Sequence, residues 1–190
     1  MYRTEFTPAP ARFNQGLTGS GLARRWYYTP KTHRAYSVRQ IAPGDRRLLA
    51  EFALTLGQSA ADRDLSAVNV LSGMVFQRVL AGGSDMAVGF ASLEGTGAGD
   101  RVIGVSAYAP ESPDEARFAV AVAHGYRDEQ IGRILLATLV RHAKRVGVRR
   151  LSGDMVWSNR PMHLLAHATG FSVEPVAADR TLRRLVLSLK

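Results

Sequence analysis

Glu115 and His124 bracket an alternating run, Ala116–Ala123, and both carry side chains able to exchange a proton. Glu115 and Arg117 lie two apart, so on a strand they face the same side about 6–7 Å from each other. That spacing suits either a surface salt bridge or a carboxylate base working beside a cation. Arg117 itself stays protonated and cannot be a base. His124 has an unperturbed pKa near neutrality and is the other candidate base, an ordinary exposed loop histidine being the plain alternative. Just downstream, Arg127-Asp128-Glu129-Gln130-Ile131-Gly132-Arg133 opens a long helical pattern. Helix N-termini offer unpaired N–H groups and a positive dipole end to phosphates. Gly132 lacks a Cβ and permits close approach of a ligand or of another backbone, while Arg127 and Arg133 could add charge-assisted contacts. Asp128 and Glu129 act in the opposite sense: a carboxylate about 6 Å from a diphosphate opposes binding by roughly 1–3 kcal/mol. Those two carboxylates do favour the helix itself.

Several elements must position these residues. Tyr36–Ile41 alternates as a strand, and Ala42-Pro-Gly-Asp45 reads as a turn with Asp45 capping a helix that aligns Leu48, Leu49, Phe52 and Leu56. A second helix is expected around Val68–Leu80. Met86–Leu93 and Val102–Tyr108 read as a hairpin across the glycine-rich EGTGAGD turn, followed by a strand over Ala116–Ala123. Ile131, Ile134, Leu135, Leu139, Ala143 and Val146 make one face of a long helix ending at Gly147. A strand at Val148–Val156, a short helix from Asn159 to Thr169 stopped by Gly170, and a final strand at Thr181–Leu189 complete the pattern. This order implies an α/β sandwich on a mixed sheet. His163 and His167 have metal-binding i, i+4 spacing, but no third ligand accompanies them.

At 190 residues the chain fits one domain, and 46% hydrophobic with 22% charged residues excludes wholesale disorder. With no cysteine, disulfides, thiolate catalysis and Cys-ligated zinc are excluded. No apolar run approaches a membrane span and the first residues lack a secretory apolar core, so a cytoplasmic protein without a membrane partner is expected. Residues 1–50 hold 9 Lys/Arg against 2 Asp/Glu, residues 51–140 hold 6 against 11, and residues 141–190 hold 10 against 3. Basic ends around an acidic middle suit an anionic ligand, an acidic protein or nucleic acid, or simply a solubilising surface. The run Arg141-His-Ala-Lys-Arg145 with Arg149 and Arg150 could meet a phosphate, although cations near a helix C-terminus also have a structural reason. Residues 1–34 show no period and read as a loose basic arm that Trp26, Tyr27 and Tyr28 dock onto the domain.

The stretch FAVAVAHGYRDEQIGRILLATLVRHAKRVGVRRLSGDMVWSNRPMHLLAHATGF resembles the GNAT superfamily of N-acetyltransferases in its order of strand, basic turn, helix, strand, Asn-led helix and Gly-Phe. NRPMHLLAHATGF, with YSVRQIAPGDRRLLAEFALTLGQSAADRD upstream, is similar to the Pat-type bacterial protein lysine acetyltransferases. The resemblance covers roughly residues 36–189. It implies a GNAT-like mixed, mostly antiparallel sheet flanked by helices on both faces, formed by residues 35–190. It also implies transfer of an acetyl group from acetyl-CoA, as co-substrate and without a metal, to a primary amine of a protein lysine or a small molecule. Val120, Ala121 and Val122 would bind the pantetheine arm through their backbone, and Arg127, Asp128, Glu129, Gln130, Ile131, Gly132 and Arg133 would surround the pyrophosphate. Asn159 would contact the CoA arm, and the basic run could meet its 3′-phosphate. The family's first loop glycine is here Gln130, its frequent glutamate base is Arg117, and its frequent tyrosine acid is Ala166. Glu115 or His124 would then serve as base. Gln130, the Asp128/Glu129 pair and Arg117 admit another reading, a catalytically degenerate domain acting as a binding or regulatory module. A nucleic-acid-binding protein rests on charge and the WYY arm alone. Edge strands of such a sheet invite a homodimer.

Overall fold

The computed structural model describes residues 25–29, 34–58, 74–81, 87–95 and 99–190. Eight strands form one sheet: β1 (Arg25–Thr29), β2 (Arg34–Gln40), β3 (Val88–Glu94), β4 (Arg101–Pro110), β5 (Glu115–Val122), β6 (Arg150–Val156), β7 (Ser172–Pro175) and β8 (Leu182–Ser188). Their order is β1-β2-β3-β4-β5-β6-β8-β7, and among these neighbours β5–β6 alone runs parallel. Among the described residues four α-helices accompany them: α1 (Arg46–Gln58), α2 (Met74–Ala81), α3 (Ile131–Arg145) and α4 (Arg160–Ala168). A parallel pair needs a crossover, and α3 supplies it. The expected mixed, mostly antiparallel α/β sheet with helices on both faces is the fold observed.

Each face buries its own core. Leu49, Phe52 and Leu56 of α1 and Val75, Phe76 and Val79 of α2 pack on Ala91, Leu93, Val105, Ala107 and Ala121. On the other face Ile131, Leu135, Leu136, Leu139 and Ala143 of α3 meet Phe90, Ile103, Tyr108 and Phe118, with Ala166 and Phe171 alongside. Alternation makes this possible: Val105, Ala107 and Ala109 face α1 and α2, whereas Ser106 and Tyr108 face α3. A bulge opposite Ser92/Leu93 places Ile103 as an extra residue, so Ile103 and Gly104 both face α3 while Val102 and Val105 face the other core. Val146, expected on the buried face of α3, lies just beyond the helix and is 38% exposed.

Local chemistry departs from the sequence expectation at three places, β1, Asp45 and β7. Arg25–Thr29, read as part of a period-free arm, pairs antiparallel with β2 from Arg25↔Val38 to Thr29↔Arg34. The other positions of 1–33 lie outside the described residues. The helix expected at 68–80 is seen as α2, and positions 68–73 also lie outside the described residues. Asp45 does not cap α1 by its side chain. It ends a 3-10 turn, accepts from Ala42 N–H at 2.8 Å, and holds buried Arg39 through bonds of 2.5 and 2.7 Å. β7 has four exposed residues and no apolar period to announce it. Among the described residues, no helix is long and apolar enough to cross a membrane.

Under the C-terminal turn of α3, His142 Nδ1 lies 2.9 Å from the Tyr108 hydroxyl and its ring meets Phe90 edge-on. Burial pushes the Tyr108 pKa up to about 12, with Arg145 opposing, so the phenol keeps its proton and shares a hydrogen bond with His142. Burial, helped by Arg145, lowers the His142 pKa. The folded state therefore prefers the neutral imidazole. Its stabilisation is complete above the unfolded histidine value of about 6.5 and is lost as pH falls through the lower folded value. Thermal unfolding should show Tm falling with pH below about 6.5, and His142→Gln should flatten that fall. An identical pH profile in the variant would remove His142 as its cause.

Candidate active site

β5 pairs with β4 along its whole length, from Ala116↔Pro110 to Val122↔Gly104. Its parallel register with β6 covers only Glu115↔Arg150, Ala116↔Leu151 and Arg117↔Ser152. Beyond Arg117 both strands continue, β6 held by β8 through Val156↔Leu182, but they no longer pair with each other. The sheet thus forks, and the edge of β5 carrying Val120, Ala121 and Val122 has no strand partner on the β6 side among the described residues. At the vertex the Phe118 ring lies over Gly153 and against Phe171, 5.0 Å between ring centres. A Cβ on Gly153 would meet the Phe118 ring and carbonyl oxygen at 2.8 Å, so glycine is required at this crossing.

The open end of the fork leads to a tight turn. Ala123 N–H bonds Ile103 O at 2.9 Å, His124–Glu129 form a 3-10 turn, and Gln130 adopts φ 61°, ψ 10° before α3 starts. The first helical bond of α3 runs from Ile134 N–H to Gln130 O at 3.0 Å, so the amides of Ile131, Gly132 and Arg133 precede the helical ladder. A right-handed turn followed by one left-handed residue also aims consecutive N–H groups into a concavity suited to anions. The turn and the helix end therefore reinforce each other. Gly132 faces the fork: a Cβ there would lie 3.3 Å from Leu165 Cδ2 and 3.6 Å from Val122 Cγ2. Packing against α4 thus gives this glycine a structural role beside any contact with a ligand. Arg133 is exposed, whereas the side chains of Arg127, Asp128 and Glu129 lie outside the described ones.

Across the mouth, Asn159 caps α4: its Oδ1 accepts from Met162 N–H at 3.1 Å, with Pro161 in the first turn. His163 turns its Nε2 to the Trp157 carbonyl at 3.1 Å and its ring edge-on to Trp157, which Arg183 covers at 4.3 Å. Among the described residues no group of His, Cys, Asp or Glu could hold a metal. Ala166 is fully buried, so the position of the family's tyrosine contributes only packing.

The vertex is strongly charged. Glu115 bonds Arg150, its register partner on β6, at 3.1 Å rather than Arg117. Arg117 instead bonds Glu111 at 3.0 Å and Asp154 across the fork, and Asp154 accepts from Arg184 of β8 at 2.9 Å. Neighbours one strand away are better aligned than residues two apart on one strand. Burial alone would raise the Asp154 pKa, but the bond from Arg184 and the charge of Arg117 hold it below the usual carboxylate range. His124 lies at the other end of β5, exposed beside a recess of about 170 Å³ lined also by Thr55, Arg101, Val102 and Tyr126. At about 3.3 Å per residue, Glu115 and the far end of β5 are more than about 20 Å apart. The structure does not bring these two candidate bases together. Asp154 escaped the sequence reading, although an aspartate inside the apolar run Leu151–Val156 is an unusual strand residue and a usable signal.

Gln130 has the only positive φ of a non-glycine residue among the described residues. A left-handed side-chain-bearing residue costs about 1–2 kcal/mol, offset in part by the entropy that glycine loses on folding. Gln130→Gly should therefore stabilise the protein by about 0.5–1 kcal/mol in denaturant unfolding. A loss of stability would mean that the glutamine side chain makes a compensating contact.

The GNAT acetyltransferase family model matches residues 76–171, just over half of the chain. No curated protein matches the sequence. Among solved structures, the GNAT domain of S. lividans PAT superposes with a TM-score of 0.65 at 17% identity, covering 87% of this chain and 97% of that domain. The yncA protein of Salmonella typhimurium, with its cofactor acetyl-CoA, gives a TM-score of 0.56 at 21% identity, covering 82% and 94% of the two chains. The cAMP-binding acyltransferase from Mycobacterium smegmatis gives 0.61 at 16% identity; 89% of this chain is covered, which spans about half (48%) of that longer protein. At these identities the superpositions speak for the fold. The family match adds membership: with its forked sheet and its turn before α3, the chain belongs to the GNAT family of acetyltransferases.

Proposed function

We propose that this protein transfers the acetyl group of acetyl-CoA to a primary amine by direct attack. The observation that carries this reading is the fork between β5 and β6, open toward the N-terminus of α3. The residues suit the ligand. The backbone edge of Val120, Ala121 and Val122 is available to pair with the amide groups of the pantetheine arm. The turn through Arg127, Asp128, Glu129 and Gln130, followed by the amides of Ile131, Gly132 and Arg133, is available to the pyrophosphate. Asn159 lines the opposite side.

In the reaction, the neutral amine nitrogen attacks the thioester carbonyl carbon; the C–N bond forms and the C–S bond breaks. An unpaired N–H on β5 would support the developing oxyanion. The amine proton passes through water to Glu115, which lies nearer the vertex than His124 does, and the leaving thiolate takes a proton from water. Residues 35–190, extended by β1, form the catalytic unit, acting in the cytoplasm. A protein lysine as acceptor is supported by the likeness of NRPMHLLAHATGF to Pat-type enzymes and by the superposition on the S. lividans PAT domain. One observation favours an idle binding module instead: Arg117, at the family's base position, is locked between Glu111 and Asp154.

Calorimetric titration with acetyl-CoA at low salt should give a dissociation constant in the micromolar range, on the order of −8 kcal/mol. No heat up to millimolar ligand would sink the acetyl-CoA reading. Glu115→Gln should lower the rate of lysine-peptide acetylation at least tenfold, about 1.4 kcal/mol, without weakening acetyl-CoA binding. An unchanged rate would remove Glu115 from the mechanism. Tight acetyl-CoA binding with no transfer to any amine offered would select the idle module.

A further inference from the structure

Among the described side chains, that of Tyr126 ties the 3-10 turn at His124–Glu129 to the distant β3–β4 hairpin. Tyr126 is 8% exposed and donates its hydroxyl to Glu94 Oε2 at 2.5 Å. Arg101, the register partner of Glu94, donates to the same oxygen at 2.7 Å. Arg101 also bonds the Tyr126 hydroxyl oxygen, and its guanidinium carbon lies 5.6 Å from the centre of the Tyr126 ring. Tyr36 of β2 packs edge-on against that ring at 6.1 Å. The tyrosine is thus fixed in rotation by its ring and in depth by its hydroxyl. Glu94 and Arg101 are themselves held by the hairpin: Gly95 turns with φ 120°, and a Cβ there would meet the Gly99 carbonyl at 3.0 Å.

We infer that Tyr126, through Glu94 and Arg101, is the positioning residue of the turn that receives the CoA phosphates. This rests on the acetyl-CoA reading given above. The turn has a second attachment at its start, where Ala123 N–H bonds Ile103 O. Two attachments, at Ala123 and Tyr126, define both the place and the tilt of the segment that ends in left-handed Gln130. Without the Tyr126 bond the turn would pivot about Ala123, and binding would have to order it first. Preorganised donors avoid that entropy cost, which is the reason to anchor a loop whose contribution is backbone amides. A bond to a carboxylate is stronger than a neutral one, so the acidic partner suits an anchor. The pull of Glu94 also raises the Arg101 pKa, so the cation stays in place throughout the useful pH range. Tyr126 does not touch the substrate in this role; its hydroxyl is taken up by Glu94 and Arg101 of the hairpin.

The test combines acetyl-CoA titration with amide hydrogen exchange on the full chain. In Tyr126→Phe, exchange should quicken at residues 124–133 and stay as in wild type in β8 and α4, while acetyl-CoA affinity falls roughly tenfold. Glu94→Gln, which keeps an accepting oxygen but removes the charge, should lose affinity by roughly threefold. If wild type binds acetyl-CoA and Tyr126→Phe binds it equally well, the positioning role is overturned. It is overturned too if exchange quickens throughout the domain, because the tyrosine would then serve general stability. Failure of the wild type to bind acetyl-CoA overturns the acetyl-CoA reading itself, a result visible before any variant is made.

Discussion

The short parallel ladder between β5 and β6 is the constraint on which the rest of the structure depends. Three register pairs hold the strands together, and then Phe118 and Gly153 pass so closely that a single Cβ would clash with a backbone carbonyl. Each strand is secured independently on its far side, β5 by β4 and β6 by β8. The sheet can therefore open at its centre without losing either half. The hydrogen-bonding capacity left on β5 is a consequence of that arrangement: extended backbone groups seek partners, and a ligand with amide groups can provide them. The α3 crossover brings its N-terminus to the open end of the fork.

The two ends of β5 carry different electrostatics. At the vertex, Glu111, Glu115 and Asp154 are matched by Arg117, Arg150 and Arg184, so the charges there cancel locally. Pairs this exposed add little to stability, but they fix where side chains point. Arg117 reaches across the fork to Asp154 just beyond the last backbone pair and so ties the strands where their ladder stops. At the other end, backbone amides dominate, and the turn that presents them is bonded through Tyr126 to Glu94 of the β3–β4 hairpin.

Most of the fold was legible in periodicity. The α1 and α3 stripes, the hairpin across EGTGAGD and the final strand all appear where alternation or helical spacing placed them, because each buries one face against a core. Elements without such a face were not legible. β7 is wholly exposed and owes its existence to pairing with β8, while β1 depends on the edge of β2. Asp45 shows the same limit at the level of one side chain: its bond to Ala42 N–H is the capping contact that local spacing suits, whereas its pairing with buried Arg39, six residues earlier, depends on tertiary burial.

By itself, the sequence determined the order of elements, the left-handed or close-packed positions that glycines such as Gly147 and Gly170 accept, and the motif from the turn at Arg127 to the Gly170-Phe171 end, because local spacing and steric need suffice for these. Only the tertiary structure decided that Glu115 pairs with Arg150, that Arg117 joins Asp154 across the fork, and that Tyr126 hangs from Glu94 and Arg101. Each of those partners lies more than thirty residues away in the chain, apart from Arg101 at twenty-five. Their meeting depends on strand register and sheet order, and no periodicity within one segment contains that information.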